Sequence, residues 1–383
     1  MIGPAQALRD AGCEVAFEAR HDLTEQLSRA GLGTFLGGRD RGPAPEGNRG
    51  ALFAERVRDP VWLRTWIRGL LVDAPEAEVE PLRAVLRAFR PSVVALDPLR
   101  YAAVLAAERE GVPWAALSNS LNPVLPEGLD SELLATVRAL APARDALFAR
   151  HGARGAFRGC DALSPWLTVA FTTPTFVGRE VPGVRQVGPS LPRGPRGDEA
   201  PFPWESLRPE RPLVYVSFGS QVYHQPGLFR LVLEAVRGRP VDLALSVSEL
   251  LGTDALGPLP PNAVAVRYTP QLQVLARASA LVTHGGANAV MEALSFGVPM
   301  LVSPLCNDQH HNAFFVERAG VGVTLDPGLA TPEAVWGALS TLLWDPGVRA
   351  RAARVRESYR VDGAAECARL LTALAGGTLP APG

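Results

Sequence analysis

The residues best suited to do chemistry lie between 268 and 309, in YTPQLQVLARASALVTHGGANAVMEALSFGVPMLVSPLCNDQ. A β-branched run ends at His284, and Gly285 and Gly286 follow as a turn in which backbone must approach something closely. A helix opens near Ala287–Asn288, and helix N-termini present unpaired N–H groups and the positive end of the dipole. A histidine beside that end adds a donor, so the stretch suits a diphosphate and needs neither lysine nor metal. Taken alone, the same residues also fit a plain strand-to-helix turn capped by His284. Glu292 falls on the N-terminal half of the helix, where a carboxylate can accept both hydroxyls of a ribose; a solvated helix face is the alternative. Asp308 and Gln309 follow the strand-like PMLVSP, at the carboxyl edge where open α/β sheets bind ligands. A carboxylate beside an amide matches a polyol, and the pair fits equally the cap of a helix starting at HHNAFFVERAG. In VYVSFGSQ the turn through Gly219 and Ser220 can also reach phosphate, though many strand ends look alike.

These groups need a scaffold that puts strand ends along one edge. Short β-branched runs alternate with Ala/Leu/Arg segments, the pattern of parallel sheets covered by helices. In the first half CEVAFEA, PSVVALD and VPWAALS read as strands; EVEPLRAVLRAF and RYAAVLAAEREG have helical spacing with Gly or Pro beyond their ends. In the second half RPLVYVSF, VDLALSV, AVAVRY, ALVTH and PMLVSP read as strands, separated by PGLFRLVLEAVRG, ANAVMEALSFG and PEAVWGALSTLLW as helices. The Pro/Gly-rich residues 189–211 lack periodicity and read as a linker. The expected organisation is α/β, with two doubly wound, Rossmann-like domains: 1–188, then the linker 189–211, then 212–353, a C-terminal helix over 354–375 and a frayed tail 376–383.

Composition narrows the function. The 383 residues include 38 cationic side chains, all arginine, against 39 acidic ones, a net charge of −1. That balance offers no electrostatic case for nucleic acid or anionic lipid. Without lysine there is no Schiff base and no Walker-type phosphate loop. Cys13, Cys160, Cys306 and Cys367 are scattered, which argues against a zinc site and a disulfide framework. No apolar run reaches the roughly 18–20 residues of a membrane span. The start shows no charged leader with an apolar stretch, so a cytoplasmic location without stable membrane insertion is expected.

Segment 268–309 resembles the donor-binding signature of family 1 glycosyltransferases, nucleotide-sugar enzymes built from two facing Rossmann-like domains, the GT-B fold. His284, Gly285–Gly286, Asn288, Glu292, Gly-Val-Pro at 297–299 and Asp308–Gln309 fall at the family's spacing. The likeness runs through RPLVYVSFGS and back to FRPSVVALDPLRYAAVLAAEREGVPWAALS, over nearly the full length, and is greatest to bacterial enzymes acting on macrolides, other polyketides and carotenoids. The resemblance implies a UDP- or TDP-sugar as co-substrate, a lipophilic small-molecule acceptor, no metal, inversion at the anomeric carbon, and a monomer or homodimer, peripheral to a membrane if the acceptor is lipidic. It implies that His284 contacts the diphosphate with Gly286, Asn288 and Ser220 around it. Glu292 would hold the ribose, Gln271 and Tyr268 would sit by the base, and Asp308 and Gln309 would hold sugar hydroxyls. Many relatives carry Trp in place of Tyr268. The last helix would cross back onto the first domain.

The family takes the acceptor proton with a histidine after the first strand, oriented by an aspartate that matches Asp97; an N-cap before RYAAVLAAE is the other reading of Asp97. Relatives read His, aliphatic, any residue, Pro at the head of the first helix, where this chain reads Met1-Ile2-Gly3-Pro4. The expectation is a chain that starts one strand and a loop late, with impaired activity, and a non-catalytic nucleotide-sugar-binding or helper protein is the alternative. His21 could serve as a substitute base but reads better as a loop residue. One of His310 and His311 is a candidate for the cleft, and His151 and His224 read as surface residues. In DPVWLRTWIRGLLVD, Trp62, Trp66, Ile67, Leu70 and Leu71 recur at helical spacing, so Trp62 and Trp66 are candidate acceptor contacts, with core packing as the competing reading.

Overall fold

A computed structural model describes residues 1–20, 22–36, 49–192 and 201–379, with the side chain of Arg49 outside the description. Two parallel sheets dominate the described residues. The first-domain sheet has the order Val94–Leu96, Trp114–Ser118, Leu167–Ala170, Arg185–Gln186, all parallel neighbours. The six-stranded second sheet runs Gly322–Thr324, Met300–Val302, Ala280–Thr283, Leu213–Ser217, Asp242–Ser246, Ala263–Val266. Its order reverses between Leu213–Ser217 and its two neighbours, and that switch point is where a doubly wound sheet leaves a crevice.

The second sheet forms because its strands are apolar on both faces, as burial between helices requires. Leu213 and Tyr215 enter one buried cluster while Val214 and Val216 enter the other, the period of two made visible. The first cluster does not stop at the domain boundary. Leu121, Val124, Phe176 and Val177 of the first domain pack in it with Val290, Ala293, Phe315 and Tyr359 of the second.

Three expectations need correction and a fourth is refined. CEVAFEA forms no ladder strand; only Phe17 pairs, in an isolated parallel bridge to Phe35. Extended residues become a strand only where a neighbour accepts and donates along their length. The single C-terminal helix is two, Pro346–Ser358 and Gly363–Ala375. Between them the chain turns onto the first domain so tightly that a Cβ on Gly363 would sit 2.5 Å from the Gly188 carbonyl oxygen. Beyond that turn Cys367, Leu370, Leu371 and Leu374 pack on Ala115, Leu117, Leu167 and Val169. The linker is partly folded, with a single helical turn at Trp204–Ser206 and Phe202 buried in the core; its residues 193–200 lie outside the described residues, as do His21 and the tail's last four. Finally, the helix through DPVWLRTWIRGLLVD is α over Pro60–Arg68 and widens to a π turn over Gly69–Asp73. No helix among the described residues is long and apolar enough to cross a membrane.

Candidate functional site

His284 ends the strand Ala280–Thr283 and the helix Ala287–Phe296 begins three residues later, with Gly286 as its N-cap. No side chain caps that helix and its first turn holds no acid, so its N–H groups and dipole remain uncompensated. The glycines have separate jobs. Gly285 has φ +87, and a Cβ there would lie 2.7 Å from Val302. A Cβ on Gly286 would fall 2.7 Å from His284 Nε2, and one on Gly219 would fall 2.6 Å from its Cε1. The imidazole is thus wedged between two glycine backbones, one from each expected phosphate-binding turn. Burial pushes its pKa down to about 4, so at neutral pH it is uncharged and offers one N–H. Ser220 stands exposed beside Gly219, and Asn288 is exposed on the helix's first turn.

Glu292, 3 % exposed, accepts from Gln271 Nε2 at 2.5 Å. Gln271 Oε1 accepts from the Tyr215 hydroxyl at 3.1 Å, and that hydroxyl pairs with Thr269 Oγ1 at 2.6 Å. The residues expected at ribose and base are therefore joined, with Tyr268 exposed next to them. Asp308 precedes the helix Gln309–Arg318 without capping it by a side-chain bond; its carboxylate accepts from Asn312 Nδ2, and burial raises its pKa. Gln309 is turned inward. Its Oε1 accepts from the backbone N–H groups of Leu305 and Cys306, at 2.8 and 3.1 Å, so it braces the loop that carries Asp308.

Asp97 follows the strand Val94–Leu96 and accepts from Leu99 N at 2.9 Å and Asn119 Nδ2 at 3.2 Å. Its contact is a local turn, since the next helix starts only at Tyr101 and Arg100 is the N-cap. Burial raises its pKa against those two donors. Asp97 and Asn119 from the first domain face Asn288 and Met291 from the second across a cleft of about 170 Å³, which Met1 also lines. Among the described residues, no histidine lines it.

The tryptophans go elsewhere. Trp62 and Trp66 stack at 6.2 Å, with Phe53 edge-on to both. Trp62 leans on Val222, Cys306 and Leu305 of the second domain, Trp66 and Leu70 pack on the first-domain core, and Ile67 and Leu71 belong to that core. Neither tryptophan lines the cleft beside Asp97. His310 is exposed and lines a smaller cavity with Arg58, Leu63 and Glu132. His151 pairs with Glu76.

A further set of polar residues escaped sequence reasoning. Asp161, 1 % exposed, accepts from Ser118 Oγ and, at 2.7 Å, from Asn122 Nδ2. Asn122 Oδ1 and Ser131 Oγ both meet the ring of His311, at 3.2 and 2.8 Å. Burial pushes Asp161 up to about 7, and Asp97 and Asp308 add like-charge repulsion. Nothing in spacing announces residues 118, 122, 131, 161 and 311 as neighbours; only the fold brings them together.

Against known proteins, residues 190–357 match the family described as UDP-glucoronosyl and UDP-glucosyl transferase. Demethyllactenocin mycarosyltransferase of Streptomyces fradiae is 37 % identical over 191 residues, covering 49 % of this chain and 40 % of that protein, so the chain aligns with less than half of that relative's length. 4'-Demethylrebeccamycin synthase of Lentzea aerocolonigenes is 27 % identical over 322 residues, 76 % of each chain. Among solved structures, the calicheamicin glycosyltransferase CalG4 superposes with a TM-score of 0.71 at 24 % identity over 99 % of this chain and 95 % of that one. The spinosyn rhamnosyltransferase SpnG complexed with thymidine diphosphate gives 0.71 at 22 % identity, over 97 % and 95 %. Residues 190–357 thus resemble the UDP-glucoronosyl and UDP-glucosyl transferase family, and the chain as a whole has the two-lobed GT-B fold.

Proposed function

We propose that this protein is an inverting glycosyltransferase that moves a hexose from a UDP- or TDP-sugar to a hydroxyl of a lipophilic small molecule. The observation that carries the reading is the uncompensated N-terminus of Ala287–Phe296, whose first residues Ala287 and Asn288 line the cleft that holds Asp97, with neutral His284 locked beside it between Gly219 and Gly286. In the reaction the acceptor oxygen attacks the anomeric carbon from the face opposite the diphosphate. The carbon–oxygen bond to the diphosphate breaks, and its electron pair leaves with the phosphate oxygen. The helix N–H groups and the imidazole N–H stabilise that developing charge, so the step needs no metal. Glu292 and Gln271 hold ribose and base, and Asp308 orients the sugar.

The acceptor proton needs a base. Asp97 has the geometry of an orienting carboxylate, its oxygens held by Leu99 N and Asn119 Nδ2. The base itself is a histidine that would stand where Met1 lines the cleft. A form of the chain lacking that histidine is expected to bind nucleotide and transfer slowly. The test measures UDP and TDP binding by calorimetry, then donor hydrolysis and transfer across an acceptor panel, with and without an added strand and loop ending in histidine ahead of Ile2. Transfer gained on extension supports the reading, and EDTA should not reduce it. UDP binding without transfer in either form would favour the non-catalytic reading, which the absence of a histidine along the described cleft lining motivates. Absence of binding to UDP and to TDP alike defeats both.

A further inference from the structure

His311 sits three residues past Asp308 on the helix Gln309–Arg318, 1 % exposed, and both its ring nitrogens meet the other domain. The hydrogen-bond pattern assigns its tautomer. Asn122 donates Nδ2 to Asp161, which leaves Oδ1 as an acceptor, so His311 Nδ1 carries the proton. Nε2 then accepts from the Ser131 hydroxyl, whose oxygen in turn caps the helix Glu132–Arg150 by accepting from Leu134 N at 3.1 Å. Every polar atom in this line has a partner, which a buried interdomain network requires. The line continues on the first-domain side: Asp161 accepts from Ser118, the residue before Asn119, and Asn119 donates to Asp97.

We propose that His311 is a positioning residue that sets the register of the two lobes, holding the loop of Asp308 at a fixed offset from Asp97 and so aligning the donor sugar with the acceptor oxygen. The proposal rests on the transferase reading for its kinetic consequence and on the geometry alone for the docking. The energetic logic is that apolar contacts across the lobes, such as Phe176 with Phe315 at 6.2 Å, hold the lobes together without direction, whereas two hydrogen bonds from one ring specify one relative placement.

The test uses the full chain, extended as above where transfer is measured. His311→Phe keeps a ring and removes both hydrogen bonds. His311→Asn puts an amide nitrogen near Nδ1 and keeps a donor for Asn122. For His311→Phe, which loses both hydrogen bonds, the acceptor kcat/KM should fall at least about tenfold, with the Kd for UDP within about twofold of the parent. A larger share of donor turnover should go to water, and backbone amides of residues 118–122 and 131–136 should exchange faster. His311→Asn should recover most of the transfer. Unchanged transfer and partition in His311→Phe overturns the proposal, and so does a loss of UDP binding that parallels the loss of transfer, since that marks collapse of one lobe. If the parent neither binds UDP nor transfers, the functional reading fails, and the exchange comparison still decides whether His311 docks the lobes.

Discussion

Replacing Gly286 with alanine isolates what the two glycine backbones do to His284. The residue has φ −59 and ψ 137, a conformation any L-residue adopts, so the change carries no backbone strain. Its cost is steric. The added methyl would lie 2.7 Å from His284 Nε2 and 2.9 Å from Cε1. Ordinary heavy-atom contacts need about 3.5–4.0 Å, so the ring must retreat by roughly 1 Å. The retreat is blocked by the backbone of Gly219, where even a Cβ would come within 2.6 Å of the ring. Overpacking of this kind costs about 1–3 kcal/mol. The displaced imidazole also loses its place beside the helix N-terminus. If it donates to a diphosphate oxygen, a charge-assisted bond worth about 1.5–3 kcal/mol goes with it, or roughly 10- to 100-fold in Kd. The control is Gly337→Ala, in the exposed middle of the helix Pro332–Trp344, where a Cβ meets nothing within 4 Å. It should stabilise by up to about 1 kcal/mol through helix propensity. Urea unfolding and UDP calorimetry on both variants give the comparison. A Gly286→Ala protein as stable as Gly337→Ala, with UDP affinity unchanged, would refute the idea that the ring is wedged and that its position matters for the anion.

Burial holds the His311 pKa near 4 in the fold against 6.5 in the unfolded chain, so the unfolded chain takes up the proton first. The contribution of this side chain is full above pH 6.5 and declines by up to about 1.4 kcal/mol per unit as pH falls toward 4; the stability gap between the parent and His311→Asn should therefore narrow from pH 7 to pH 5, and a constant gap would speak against a neutral buried ring. Glu292→Gln leaves the Gln271 contact in place but removes the carboxylate, and UDP affinity should drop about tenfold while competition by inorganic pyrophosphate stays the same. Trp62→Ala should lower stability by about 2–4 kcal/mol, because its ring packs with Phe53 and Trp66 against the buried cluster of Val57, Val222 and Cys306; a fall in acceptor affinity with unfolding unchanged would instead support an acceptor contact.

Much of the turn around His284 was legible in the residues because it is local. The strand, the two glycines and the helix after them are contiguous, and backbone sterics force that outcome wherever the same order occurs. The apolar strands of the second sheet were equally plain, being continuous runs of five or so residues. Less was legible where an element depends on a neighbour. CEVAFEA has the right alternation and finds one bridge. Leu167–Ala170 and Gly322–Thr324 are short and unremarkable in sequence, yet both pair along their length. Gly322 fits beside Met300 only because it has no side chain: a Cβ would come within 2.3 Å of that residue's carbonyl oxygen.

Sequence by itself determined the α/β character, the two lobes and the strand–glycine–helix turn at His284–Gly286, since each follows from periodicity or from the conformational freedom of a few adjacent residues. Tertiary structure alone decided which side chains face one another across the lobes. It turned Gln309 inward, sent the tryptophans into a packing seam, split the last helix, and joined His311 to Asp161 through Asn122. Contacts between residues far apart in the chain are set by how buried surfaces fit together, and one-dimensional spacing carries no record of that fit.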